Sequence, residues 1–119
     1  MDQQVTIGYW KIRGLGQVCR LLLSYTETDF KEVQYENQEK WFKEDKFQLG
    51  IDFANLPYII DGDFKLAESI AVMKYIIRRS NHKELLGKNT QDEGTVESIV
   101  GILKESFGSI IGLCFNPDH

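Results

Sequence analysis

The chain has little of what marks several large protein classes. Its two cysteines, Cys19 and Cys114, stand far apart in 119 residues and form no C-x-x-C spacing. That excludes a disulfide scaffold, a dithiol redox motif and a zinc knuckle, and it fits a reducing compartment. His82 and His119 are the two histidines and share no ligand spacing, so no metal site is expected. No apolar run approaches the roughly 18 residues of a bilayer span, and no basic-then-apolar leader opens the chain. The expectation is a cytoplasmic protein without a membrane span. A formal net charge of −4 provides no field for nucleic acid or anionic lipid. Phosphate-cradling glycine loops and G-x-S-x-G elbows are also missing. What the chain does have is apolar bulk: 42% of its residues are hydrophobic, which suffices for a packed core and excludes disorder.

Hydrophobic spacing divides the chain into elements. Val5, Ile7 and Tyr9 alternate with period two, as in a strand. Gly14 and Gly16 bracket a turn, after which Leu15, Val18, Cys19, Leu22 and Leu23 trace one face of a helix running to about Tyr25. Phe30, Val33 and Tyr35 make a second strand, and Asn37 to Gln48 reads as a short irregular helix with Trp41, Phe42 and Phe47 as its apolar points. After Pro57, the run Tyr58-Ile59-Ile60 leads into Asp61-Gly62 and then Phe64 to Leu66, the pattern of a hairpin. A helix opens near Ser69 with Ile70, Met73 and Ile77 on one face and Arg78 and Arg79 at its negative pole. The order β-α-β-α-β-β-α predicts an α/β domain over residues 1–82 with a mixed four-stranded sheet.

The polar stretch Asn81 to Asn89 reads as a domain boundary. Thr90 and Glu93 have capping-box spacing, and Val96, Ile99, Val100, Leu103, Phe107, Ile110, Ile111 and Cys114 follow at helical intervals until Asn116-Pro117. Residues 90–119 therefore read as one amphipathic helix at the start of an all-α domain. Covering that stripe calls for a continuation of the chain or an intimate partner.

Residues at strand ends in α/β folds face the usual ligand crevice, which singles out Tyr9. Around it the run Gly8-Tyr9-Trp10-Lys11-Ile12-Arg13-Gly14-Leu15-Gly16, then Leu49-Gly50-Ile51-Asp52-Phe53-Ala54-Asn55-Leu56-Pro57-Tyr58, then Glu68-Ser69-Ile70-Ala71 together resemble the glutathione-binding half of a cytosolic glutathione transferase. The first two blocks look most like the Mu class. The resemblance covers residues 4 to 82, and residues 90 to 117 look like the first helix of that family's all-helical second domain.

The resemblance implies a thioredoxin-like fold and an enzyme that conjugates the glutathione thiolate to small electrophiles. Glutathione would be a co-substrate, and no cofactor is implied. Tyr9 would donate its hydroxyl to the glutathione sulfur, with Leu15 alongside. Ser69 and Glu68 would hold the γ-glutamyl end, although Glu68 stands where Mu-like sequences usually place glutamine. Leu56 would pair through its backbone with the cysteinyl part before a cis Pro57, helped by Asn55. Trp10 and Lys46 would take the glycyl carboxylate with an aromatic beside them, Trp41 or Phe42, which the spacing does not decide. Phe53 matches a residue that Mu-like dimers insert into the neighbouring subunit, against a simpler role in local packing. Glu105 matches an acidic position that reaches the partner's γ-glutamyl group. Phe115 stands at the electrophile site, where a tyrosine often assists. The implied partners are glutathione, a small electrophile and a second copy of the chain. The competing reading is a transferase-like structural subunit that docks into a larger assembly with weak or no catalysis.

Overall fold

A computed structural model describes residues 3–114, and the chain divides into two compact units, Met1–His82 and Lys83–His119. In the first unit, β1 (Val5–Trp10) is followed by α1 (Gly16–Tyr25) and β2 (Phe30–Tyr35). A π-helical turn (Lys40–Asp45) then runs into a single α-helical turn, α2 (Lys46–Gln48). The hairpin β3 (Tyr58–Asp61) and β4 (Phe64–Ala67) and the helix α3 (Ser69–Arg79) complete the unit. The strand order is β2-β1-β3-β4. β1 runs parallel to β2 from Val5↔Phe30 to Trp10↔Tyr35, and antiparallel to β3 from Thr6↔Ile60 to Gly8↔Tyr58. This is the mixed four-stranded sheet that the element order predicts. Gly62, first of the two loop residues between β3 and β4, has φ +61°, a conformation that costs glycine nothing.

Adjacent residues of a strand face opposite sides, so Ile59 and Tyr58 serve two cores. On one side Val5, Ile7 and Ile59 meet Cys19 and Leu23 of α1 and Val72 and Ile76 of α3. The other core gathers Tyr9, Tyr35, Trp41, Ile51, Leu56, Tyr58 and Ala67. Gly8 is the reason Tyr58 can lie where it does, since a Cβ at Gly8 would stand 2.1 Å from the ring carbon Cζ.

Both helix faces differ from the sequence reading by a fraction of a turn. Val18 is 41% exposed, and the buried part of α1 is Gly16, Cys19 and Leu23. In α3 the buried residues are Ser69, Val72, Ile76 and Ile77, whereas Ile70 and Met73 sit half-buried at the margin. An apolar stripe wider than the contact leaves its edge to solvent, and spacing alone does not identify the edge.

The second unit holds a 3₁₀ turn (Lys83–Leu86) and α4 (Thr90–Cys114). Its cap corrects the capping-box expectation. Asn89, not Thr90, is the cap: its Oδ1 accepts from the Asp92 amide at 2.9 Å and its carbonyl accepts from Glu93 at 2.9 Å. The short amide side chain reaches the third helical N–H as well as a hydroxyl does. No described residue of α4 is buried, and Ile99, Leu103, Ile110 and Ile111 are exposed. The expected stop at Asn116-Pro117 and the electrophile-site residue Phe115 lie outside the described residues.

Candidate functional site

Tyr9 sits one residue from the end of β1, where the strand gives way to the turn leading into α1. It is 7% exposed, and its hydroxyl oxygen accepts a hydrogen bond from the Leu15 amide at 3.0 Å. Both glycines of the turn are required by this tyrosine. A Cβ at Gly14 would lie 2.5 Å from the hydroxyl, and one at Gly16 would lie 2.5 Å from the ring carbon Cδ2. Gly14 also has φ +43°. Because the phenolic oxygen already accepts from Leu15, its own hydrogen is left to donate.

Arg20 holds this turn, and the sequence reading missed it. Its guanidinium Nη1 donates to the Ile12 carbonyl at 2.9 Å and Nη2 to the Trp10 carbonyl at 3.4 Å, while Nε pairs with Glu32 at 2.7 Å. The same group lies 5.8 Å from the centre of the Tyr9 ring. The signal was a lone charge set between Cys19 and Leu21, within an otherwise uncharged helix. Cys19 itself is inert, since burial pushes its thiol up to about 12.

Beside the buried Leu56 and Pro57, Asn55 meets Glu68 at the surface. The Leu56–Pro57 bond is cis. Asn55 Oδ1 accepts from the Leu56 amide at 2.9 Å, and Asn55 Nδ2 donates to Glu68 Oε2 at 3.1 Å. The Leu56 amide is therefore already engaged by its neighbour, and Leu56 as a residue is 8% exposed. Glu68 occupies the cap position of α3 with φ +80°, and its carbonyl accepts from Val72 at 2.9 Å. Such a conformation costs a non-glycine residue about 1–3 kcal/mol and is concentrated at functional sites. Ser69 is the first helical residue and is 5% exposed, next to the unpaired amides of a helix start. A groove between β4 and α3, lined by Leu66, Glu68, Ile70, Ala71 and Arg78, shares Glu68 with this cluster but does not include Tyr9.

At the last position of β1, next to Tyr9, Trp10 is half-buried. Its ring meets Tyr35 edge-on at 6.3 Å and Phe42 at 5.9 Å. The structure separates the two aromatics that spacing left undecided. Trp41 is 1% exposed and stacks on Tyr58 at 5.8 Å with 20° between the rings, so it presents almost nothing to a ligand. Phe42 is 44% exposed and faces Trp10 and Lys46. Beneath them Tyr35 donates to Asp45 at 2.6 Å and shares a 2.9 Å hydrogen bond with Tyr58. Burial, and next the bond to Asp45, raises the Tyr35 phenol far above its usual range, and burial also raises Tyr58, so both stay neutral.

Two further expected residues are exposed. Phe53, with φ +54° and 92% exposed, takes no part in the core of this chain. Glu105 is exposed on α4 in the second unit. Among the described residues no cluster of His, Cys, Asp or Glu could hold a metal ion, and no helix is long and apolar enough to cross a membrane.

Known proteins resemble this chain in sequence and fold. Residues 5–78 match the family described as glutathione S-transferase, N-terminal domain. The chain is 37% identical to glutathione S-transferase Mu 1 of Oryctolagus cuniculus over 96% of its own length and 54% of that protein. It is 40% identical to glutathione S-transferase 2 of Gallus gallus over 96% and 53%. The crystal structure of the glutathione S-transferase Blo t 8 superposes with a TM-score of 0.83 at 32% identity, covering 95% of this chain and 52% of that one. The chain thus spans about half the length of the curated relatives it matches.

Proposed function

The chain belongs to the glutathione S-transferase family, and from that membership we propose that it binds glutathione and activates its thiol for conjugation to small electrophiles in the cytoplasm. The observation that carries the reading is the Tyr9 hydroxyl, which accepts from the Leu15 amide and keeps its hydrogen for an external acceptor. A free thiol with a pKa near 8.5 is only about 3% ionised at pH 7. Lowering that pKa by about two units needs roughly 2.7 kcal/mol in favour of the anion. One hydrogen bond to a charged acceptor supplies about 1.5–3 kcal/mol. Tyr9 acts as donor and keeps its proton. The thiol proton leaves to solvent, and the thiolate sulfur attacks the electrophilic carbon; with an aryl halide the new carbon–sulfur bond replaces the carbon–halogen bond and halide leaves with its electron pair.

The remaining groups suit the rest of the tripeptide. Ser69 and the free amides at the start of α3 fit the γ-glutamyl carboxylate, and Glu68, oriented by Asn55, fits the neighbouring ammonium. For the Leu56 amide to pair with the cysteinyl part, Asn55 must first release it. Trp10 and Lys46 are the groups for the glycyl carboxylate. Exposure of Phe53 favours a homodimer in which that ring enters the second subunit and Glu105 reaches across to the partner's ligand.

The test is Tyr9→Phe. Binding of glutathione should persist while conjugation of a chromogenic aryl halide falls about 10- to 100-fold at neutral pH. The thiolate absorbance of bound glutathione should weaken in parallel. Unchanged turnover in a folded variant would remove Tyr9 from the mechanism.

A further inference from the structure

We propose that Phe42 is a positioning residue that holds the Lys46 ammonium in place for the ligand's terminal carboxylate. The inference rests on the glutathione reading and deepens it at the glycyl end.

The turn that carries Phe42 is pinned from below. Trp41 stacks on Tyr58, and Asp45 accepts from Tyr35 at 2.6 Å and pairs with Lys40 at 3.2 Å. With Trp41 directed into the core, the next residue is turned outward, and the π-helical turn, with its extra residue per turn, sets where that happens. Phe42 consequently stands half-exposed against Trp10, and this contact fixes its ring on the other side.

Lys46 follows four residues later and places Nζ 5.3 Å from the centre of the Phe42 ring. A lysine ammonium sits on a flexible four-carbon stem, and left alone it samples many positions. The electron-rich face of an aromatic ring attracts it and restricts that sampling. One side of the ammonium then faces the ring, and the other remains open to an anion. Phe42 touches no reacting atom; it acts through Lys46.

Phe42→Leu keeps apolar bulk and removes the π face, whereas Phe42→Tyr keeps both. Binding of glutathione, and of glutathione esterified at its glycyl carboxylate, is measured by calorimetry on the full chain, with thermal unfolding of each variant alongside. Phe42→Leu should raise the Kd for glutathione about two- to fivefold and leave the Kd for the ester unchanged. Phe42→Tyr should stay close to wild type. In a Lys46→Met background, Phe42→Leu should add nothing. Equal weakening of both ligands, additivity with Lys46→Met, or no effect at all would overturn the proposal. If the wild-type chain binds no glutathione, the functional reading falls too, a result distinct from a wild type that binds and a variant that fails this pattern.

Discussion

Asp61 closes β3 at the hairpin, and three side chains donate to its carboxylate. Tyr75 donates to it at 2.5 Å, Gln3 at 2.9 Å and Arg79 at 3.1 Å. Burial alone would raise its carboxyl, but these donors together hold it below the ordinary 3.8. The folded state therefore binds this proton more weakly than the unfolded chain does. The stabilisation is complete above about pH 4 and is lost as pH falls through the depressed value. Asp61→Asn should lower stability by about 1–3 kcal/mol at pH 7. The gap to wild type should narrow in denaturant titrations near pH 3, and a gap that stays constant with pH would show that packing, not charge, is responsible. Residues of this kind were only partly legible. Tyr9 was, because it closes an alternating strand beside two glycines. Arg20 was not, because its targets are carbonyls of a turn whose path no spacing rule gives. Nor was the choice between Trp41 and Phe42, since adjacent aromatics in a polar segment have no periodicity to rank them.

At the scale of elements, strands and long helices were readable because each presents a repeating apolar face. Val5, Ile7 and Tyr9 gave β1, and Asp61-Gly62 gave the hairpin. The π-helical turn was hidden, because Lys40 to Asp45 buries one residue, Trp41, and a single buried point fits any helical pitch. Caps were ambiguous for a similar reason: Asn89 and Thr90 are both good cap residues, and tertiary context chose the first. Register offers a sharper test. Gly8 faces Tyr58 across β1 and β3, and Tyr58 is held by Tyr35 and Trp41 and has nowhere to move. Gly8→Ala should destabilise the domain by about 1–3 kcal/mol, toward the upper end. Adding Tyr58→Leu, which clears the ring, should make the pair less damaging than the two single changes summed. Simple additivity in urea midpoints would mean that the two positions do not press on each other.

For the molecule as a whole, the order of elements sufficed for the α/β class with its mixed four-stranded sheet, because connectivity leaves few right-handed arrangements. The partner of Phe53 was not deducible, since a buried contact between chains and a solvated ring have the same local sequence. If Phe53 does serve a second copy, Phe53→Ser should shift the mass measured by light scattering from dimer to monomer at micromolar concentration, while the far-ultraviolet dichroism stays the same. An unchanged mass would assign the ring no part in association.

The Tyr9 phenol, the Leu15 amide behind it, the glycines that make room and the arginine that braces the turn all fall between positions 9 and 20. Closing so short a stretch takes little chain entropy, and the corner is then held from farther along the chain by Glu32 on Arg20 and by the second core around the Tyr9 ring. The Tyr9 corner is in that sense a largely local piece of chain. If the proposed chemistry resides there, it is inherited with this one strand–turn–helix run, whatever supplies the pocket for a second substrate.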